Sequence, residues 1–149
     1  SYNDAFVQEG FPLKAVFESG AVYTMAFVDP FEADTAGHAA MRATLANFTD
    51  SASTFLVAGW ASQYHLKGVL EAAIKGGDLT RAGIRRAAAN VNVESEGMMP
   101  TRELGQNRAD ADSSIGQPDG SIPSGSRSLA SRYVGKTAAA YDWNAGPCS

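Results

Sequence analysis

The sequence has very little of the chemistry on which disulfide-rich and zinc-dependent proteins rely. It contains one cysteine, Cys148, and two histidines, His38 and His65, among 149 residues. One thiol cannot form a disulfide within the chain, and structural zinc sites draw mainly on cysteine and histidine. We therefore expect no disulfide framework, no metal and no cofactor, and a fold that is held together by an apolar core.

Basic residues are also few. Lys and Arg total 12 against 16 Asp and Glu, which gives a net charge of −4, and the longest basic cluster is Arg81, Arg85 and Arg86. Binding to nucleic acid or to an anionic membrane depends on clustered cations, so the composition argues against both. No run reaches the roughly 18 apolar residues that a membrane span needs. The 44% of hydrophobic residues is typical of an ordinary globular chain of about one domain.

One uncharged run, residues 21–28, is rich in β-branched and aromatic side chains. It lies between Ser19-Gly20 and Asp29-Pro30, which are turn-forming pairs. A run of this length without polar alternation predicts a strand that is covered on both faces, as in parallel α/β sheets.

Helical periodicity follows this strand. Asp34 or Thr35 can cap a helix that runs to about Phe48, and Ser53 or Thr54 can cap a longer one. On the longer helix, spacing predicts one buried apolar stripe, with Gly59 and Ser62 allowing a neighbouring element to approach its first turns closely. The residues of this stripe are Leu66, Val69, Leu70, Ala73 and Ile74.

Glycine and threonine mark the end of this helical region. The pair Gly76-Gly77 predicts the end of the long helix, and Thr80 is the predicted cap of a short helix that reaches Ala89. Residues 90–93 read as a short extended piece. The order of strand and helices predicts an α/β layer structure. The sequence predicts only two or three strands, whereas a doubly wound sheet usually has about five.

Composition changes after Pro100. Between residues 105 and 128 apolar side chains are rare, so we predict a long polar loop there. Residues 129–143 recover apolar character and predict one more strand or helix turn. No sequence pattern of a hydrolase or of a phosphate-binding loop is complete, so we assign no catalytic residue.

Two groups of side chains are candidates for function. The first is a set of carboxylates around the predicted strand, which could meet a ligand's ammonium group at a sheet edge or could be solvated groups and helix-dipole partners: Glu18, Asp29, Glu32 and Asp34. The second is a set of aromatics at the start of the long helix, which could line a pocket or belong to the core: Phe55, Trp60 and Tyr64.

Three segments, in this order, resemble a known family: TFLVAGWA at 54–61, VLEAA at 69–73 and GDLTRAGI at 77–84. They are similar to the C-terminal part of type I periplasmic solute-binding proteins of the branched-chain amino acid ABC transport family. Residues 22–30 and the helix after them resemble the strand and helix near an interlobe crossing of that family. The end of the chain, 134–148, is similar to the tails of some members.

The resemblance implies a three-layer α/β/α architecture that is part of a bilobed type I periplasmic binding fold, with no enzymatic activity. Such proteins are exported to the periplasm or cell surface. They trap a small polar solute, here an amino acid or a related molecule, by hinge closure and present it to the membrane permease of an ABC transporter.

The resemblance also implies a division of the chain. Residues 1–30, with the strand at 21–28, would end the second lobe, and 31–100 would be the helical part of the first lobe. Residues 101–128 would be the polar loop and 129–149 the C-terminal strand and tail. The missing N-terminal portion would complete the cleft and supply the partner of Cys148, so we expect the 149 residues alone to bind solute weakly or not at all.

Four residues are the predicted ligand contacts. Phe55 matches the aromatic that precedes the long helix in the family and faces the cleft, so we expect it at a concave surface. Glu18 falls near an acidic residue that can receive the ligand's ammonium group, and Trp60 and Tyr23 follow from pocket chemistry alone.

Two other functions stay open. One is a small α/β enzyme that acts on a polar metabolite with a carboxylate such as Glu18 or Asp29 as general base. The other is the ligand-binding domain of a receptor or sensor with the same bilobed architecture.

Overall fold

The computed structural model describes residue 7 and residues 9–48, 52–103 and 112–142, with the backbone alone for 102 and 103. The predictions for the chain end, including Cys148, lie outside the described residues. The helices are α1 (Lys14–Phe17), α2 (Ala36–Leu45), α3 (Thr54–Lys75), α4 (Arg81–Ala88) and α5 (Lys136–Ala140). The strands are β1 (Thr24–Ala26), β2 (Asn92–Val93), β3 (Arg102–Glu103), β4 (Asp112–Pro118) and β5 (Ser126–Val134).

The main sheet of the described chain is antiparallel, in the order β1-β4-β5, and β2 pairs with β3 in a second, two-stranded sheet. In the main sheet Thr24 pairs with Gly116 and Ala26 with Ser114. The prediction of a polar loop over 105–128 is therefore wrong, because β4 and the start of β5 lie within it. β4 is central and obtains hydrogen bonds from strands on both sides, so its backbone is satisfied without an apolar sequence pattern.

The run at 21–28 forms only the three-residue strand β1, at the edge of the described sheet. Its side chains alternate, and the face that carries Tyr23, Met25 and Phe27 is open, with Met25 75% exposed. The prediction of a strand covered on both faces is thus wrong. A strand in an antiparallel sheet can have one face buried and the other in water. An apolar run does not show whether one face or both faces will be covered by neighbouring elements.

Both predicted helix starts are confirmed. The Thr35 hydroxyl accepts a hydrogen bond from the backbone N–H of His38 at 3.3 Å, and the Ser53 hydroxyl accepts one from Phe55 at 3.2 Å. These side chains satisfy backbone donors that have no partner inside the helix. α2 ends at Leu45, and Phe48 beyond it is exposed.

The buried stripe predicted for α3 is mostly exposed. Leu66, Leu70 and Ile74 face water, Val69 is half-buried, and only Ala73 is buried. The core forms instead on the opposite side of the helix, where Trp60 and Tyr64 pack against the buried cluster Val28, Met41, Val57, Ala61, Met98 and Met99. The apolar spacing was visible in the sequence, but which of two apolar faces meets a neighbour depends on tertiary contacts.

The close approach predicted at Gly59 is also wrong, because a Cβ there would meet open space. The close approach of a neighbouring element occurs instead at Gly68, where a Cβ would lie 2.9 Å from Val93 Cγ2 of β2. Glycine at that point lets the short strand pack directly on the helix.

The connection between α3 and α4 follows the prediction closely. Gly77 adopts φ +69°, and the backbone N–H groups of Gly77 and Asp78 donate to the carbonyls of Ile74 and Ala73 at 3.0 and 3.2 Å. This is the Schellman closure of a helix, for which glycine carries no steric cost. Thr80 then caps α4 by accepting from the Gly83 N–H at 3.2 Å.

Candidate functional site

A cleft of about 620 Å³ lies between the sheet and the first turn of α3. The sheet contributes β1, the residues that follow it and the middle of β4, while the helix contributes Thr54, Phe55 and Ala58. The apolar residues that line it are Met25, Ala26, Phe27, Val28, Pro30, Phe55, Ala58 and Ile115, and the polar residues that line it are Thr24, Thr54, Ser114 and Ser126. Such a lining, largely apolar with a few polar anchors, is typical of small-molecule sites.

Gly116 shapes the floor of the cleft. It pairs with Thr24 on one side and Ser128 on the other. A Cβ at this position would lie 2.7 Å from Ser126 Oγ and 3.3 Å from Thr24 Oγ1. The absent side chain therefore lets two hydroxyls approach each other across the central strand.

A buried carboxylate lies next to Ser114 of the cleft lining. Asp29 is 5% exposed, and the Ser114 hydroxyl donates a hydrogen bond to its Oδ1. Arg132 places Nη2 3.9 Å from Asp29 Oδ2 and Nη1 3.7 Å from Asp112 Oδ2, and it also donates to the Gly97 carbonyl at 2.9 Å. A buried carboxylate is costly without such partners, so the guanidinium and the hydroxyl explain how it is tolerated.

The backbone at Arg132 is unusual. Its φ is +56°, and the β4–β5 register shifts between the pairs Ser113–Tyr133 and Ile115–Ala130. Bulges of this kind redirect a side chain from its normal position in the strand. Here the bulge coincides with the residue whose guanidinium reaches Asp29 and Gly97.

His38 lies next to this network at the start of α2. It is completely buried, and its Nδ1 lies 2.8 Å from Thr35 Oγ1. Burial lowers the pKa of the imidazole, with Arg42 and Arg132 acting in the same direction, while Asp29 acts against the shift. The neutral ring is therefore the stable form near neutral pH.

The structure brings one of the four predicted ligand residues to the cleft. Phe55 lines it and is 65% exposed, so it lies at a concave surface. Trp60 packs against the core, and Tyr23 is exposed beyond the described lining of the cleft. Glu18 also lies outside that lining, where its Oε1 accepts a hydrogen bond from the Gly120 N–H at 3.0 Å.

Several residues of the cleft were not found by sequence reasoning. Met25 and Phe27 carried a signal, since they alternate along the predicted strand and share one face. Ser114 and Ile115 carried none, because they lie in a polar segment where periodicity is weak. Their position follows only from the pairing of β4 with β1.

The described residues contain neither a candidate metal site nor a helix that could span a membrane. No group of three or more histidine, cysteine or carboxylate side chains is arranged there to hold a metal ion. None of the helices in that part of the chain is both long and apolar enough to cross a membrane.

Comparisons with known proteins identify the fold. No protein-family model and no curated protein matches the chain. The structure is similar to that of a fatty acid ABC transporter substrate-binding protein from Thermomonospora curvata, with a TM-score of 0.75 and 20% sequence identity. The match covers 87% of this chain and 34% of the other, so the protein spans about a third of that neighbour's length. The protein thus has an α/β fold that corresponds to part of a type I periplasmic binding fold.

Proposed function

We propose that this chain is part of an extracytoplasmic solute-binding component of an ABC transporter, without enzymatic activity. The observation that carries the proposal is the apolar cleft with Phe55 on its wall, in a fold shared with a transporter binding protein. Pockets of this size and lining suit a small molecule. The partner of the closed form would be the permease of the same transporter.

The cleft chemistry narrows the class of solute. Ala26, Phe55 and Ala58 would contact an apolar body, and Ala26 pairs with Ser114 and therefore shares its face of the sheet. The Ser114 hydroxyl already donates its proton to Asp29, so any hydrogen bond it makes to a solute must be one that it accepts. An amino-acid-like solute with an apolar side chain supplies such a donor through its ammonium group, as the resemblance to the branched-chain amino acid family also suggests.

A fatty acid is the alternative solute, because it is what the structural neighbour is named for. Its chain would suit the apolar wall. An ionised carboxylate is an acceptor only and would leave Ser114 without a donor, whereas the ammonium group of an amino acid supplies one. We therefore favour the amino-acid-like solute.

Hinge closure would complete the site. We assign residues 1–30 to the end of the second lobe, 31–100 to the first lobe and 129–149 to a C-terminal strand and tail. Since the chain spans about a third of its structural neighbour, the remaining part of a two-lobed protein would supply the rest of both lobes and of the cleft. A solute that touches both walls favours the closed state by its greater affinity for it.

The enzyme hypothesis receives less support. Asp29 is buried and is bound by Ser114 and Arg132, while Glu18 is bound to the Gly120 N–H. Both carboxylates already have structural partners and lie outside the described lining of the cleft. A general base must instead reach the proton that it removes.

The test is a titration of the 149-residue protein, labelled at alanine methyl groups, with L-leucine and separately with dodecanoate. We expect L-leucine to shift the Ala26 and Ala58 signals saturably, with a weak Kd of about 1 mM or above because the rest of both lobes is missing. Phe55→Ala should abolish the shift. The matched control Phe48→Ala, at an aromatic 80% exposed outside the cleft, should leave it unchanged.

The outcomes separate the hypotheses. A response to dodecanoate alone would contradict the amino-acid-like solute and support a fatty acid. Absence of any response, or equal effects of the two phenylalanine variants, would contradict the assignment of the cleft. New product signals in the same samples would support the enzyme.

A further inference from the structure

The C-terminal half of α3 carries an open apolar ridge. Leu66, Leu70 and Ile74 are 55%, 36% and 62% exposed and follow one another at four-residue steps, which aligns them along one side of the helix. Leu66 lies eleven residues after Phe55, or about 16 Å along the helix, so this surface is separate from the cleft. Contiguous apolar side chains in water are characteristic of a contact surface.

Charges beside the ridge indicate what covers it. Lys67 and Glu71 each follow a ridge residue by one position, so they share its solvent-facing flank, where they form an exposed ion pair at 3.7 Å. When two copies of a helix pair antiparallel about a two-fold axis, each flank faces the same flank of the other copy with its direction reversed. With Leu70 at the two-fold axis, Lys67 of one copy lies opposite residue 73 of the other, two residues or about 3 Å along the helix from Glu71 of that copy. Side chains as long as these span such an offset, so the surface is complementary to itself.

We propose that this protein self-associates as a two-fold homodimer through α3. Leu70 lies next to the two-fold axis and meets its counterpart, and Leu66 of one copy packs against Ile74 of the other. Two reciprocal pairs between Lys67 and Glu71 fix the antiparallel direction. Because three ridge residues make a small contact, the association is weak and is measured at high protein concentration.

The test is sedimentation equilibrium of the full chain from about 5 µM to about 1 mM, which covers weak, transient association. We expect the average mass to rise from one chain toward two. Leu70→Lys should raise the dimer Kd at least about tenfold, since it introduces a charge at the axis. Leu79→Lys is the control, because Leu79 is more exposed than Leu70 but lies beyond the end of α3.

Charge reversal supplies a second readout that does not depend on the apolar ridge. Lys67→Glu alone and Glu71→Lys alone each bring like charges together across the axis, and both should weaken association. The double variant restores opposite charges and should recover association close to the original. Thermal unfolding of each variant verifies that it is folded.

Three results would overturn the proposal. They are a mass of one chain at every concentration, an association that Leu70→Lys does not weaken, and a double charge variant that associates no better than the single ones.

Discussion

Gly83 in α4 provides a direct test of how the turn between α3 and α4 is held. A Cβ at this position would lie well inside 3.0 Å of the backbone oxygen of Asp78. That oxygen belongs to the main chain and cannot rotate away. Asp78 also accepts hydrogen bonds from the Thr80 N–H at 2.9 Å and from the Thr80 hydroxyl at 2.6 Å, and it pairs with Arg86. Displacing it therefore disturbs the cap of α4.

The magnitude of Gly83→Ala follows from opposing effects. Alanine in a helix interior is favoured over glycine by about 1 kcal/mol. Overpacking costs about 1–3 kcal/mol, and disturbance of the Thr80 cap costs about 1 kcal/mol. We expect a net loss of about 1–3 kcal/mol in the free energy of unfolding, or a Tm lower by several degrees.

Gly59→Ala is the matched control for this substitution. Gly59 is also inside a helix, but a Cβ there meets open space, so the helix preference should act alone and stabilise the protein by up to about 1 kcal/mol. Urea unfolding of the two variants beside the parent measures both effects. A Gly83→Ala protein as stable as Gly59→Ala would refute the argument from close contact.

Two further predictions concern the buried network. Since burial lowers the pKa of His38 below 6.5 in the folded state, the neutral ring contributes stability that is present above pH 6.5 and is lost as pH falls below it, with a slope of at most about 1.4 kcal/mol per pH unit. Urea unfolding between pH 7.5 and 5.5 should show this loss in the parent and less of it in His38→Gln; equal slopes would contradict it. Arg132→Met should lower the free energy of unfolding by about 1–3 kcal/mol, because it leaves Asp29 buried without its cation. Arg127→Met, at a more exposed arginine, should cost less, and the reverse order would contradict the assignment.

The helices were predictable from sequence because their signals are local. Thr35, Ser53 and Thr80 cap the helices that follow them, and Gly77 closes α3 within five residues of chain. A cap acts on backbone groups two or three positions away, so it is readable without knowledge of the tertiary structure.

The sheet was not predictable in the same way. β4 contains Ser113, Ser114, Gly116 and Gln117, and it is a strand because β1 and β5 pair with it on either side. Strand propensity depends strongly on such neighbours. The same reason applies to the cleft residues. Phe55 was predicted from its place at the start of a helix, which is a local signal, whereas the position of Ser114 depends on strand pairing and could not be predicted.

The pairing of β1 with β4 has a consequence for the order of assembly. The Glu32 side chain binds the Ser124 N–H across 92 residues, and Glu18 binds the Gly120 N–H across 102. During synthesis α2, α3 and α4 leave the ribosome complete, while the edge strand must wait for its partner. Because closing so long a span is slow compared with forming helical turns, we expect the helices to form first and the sheet last.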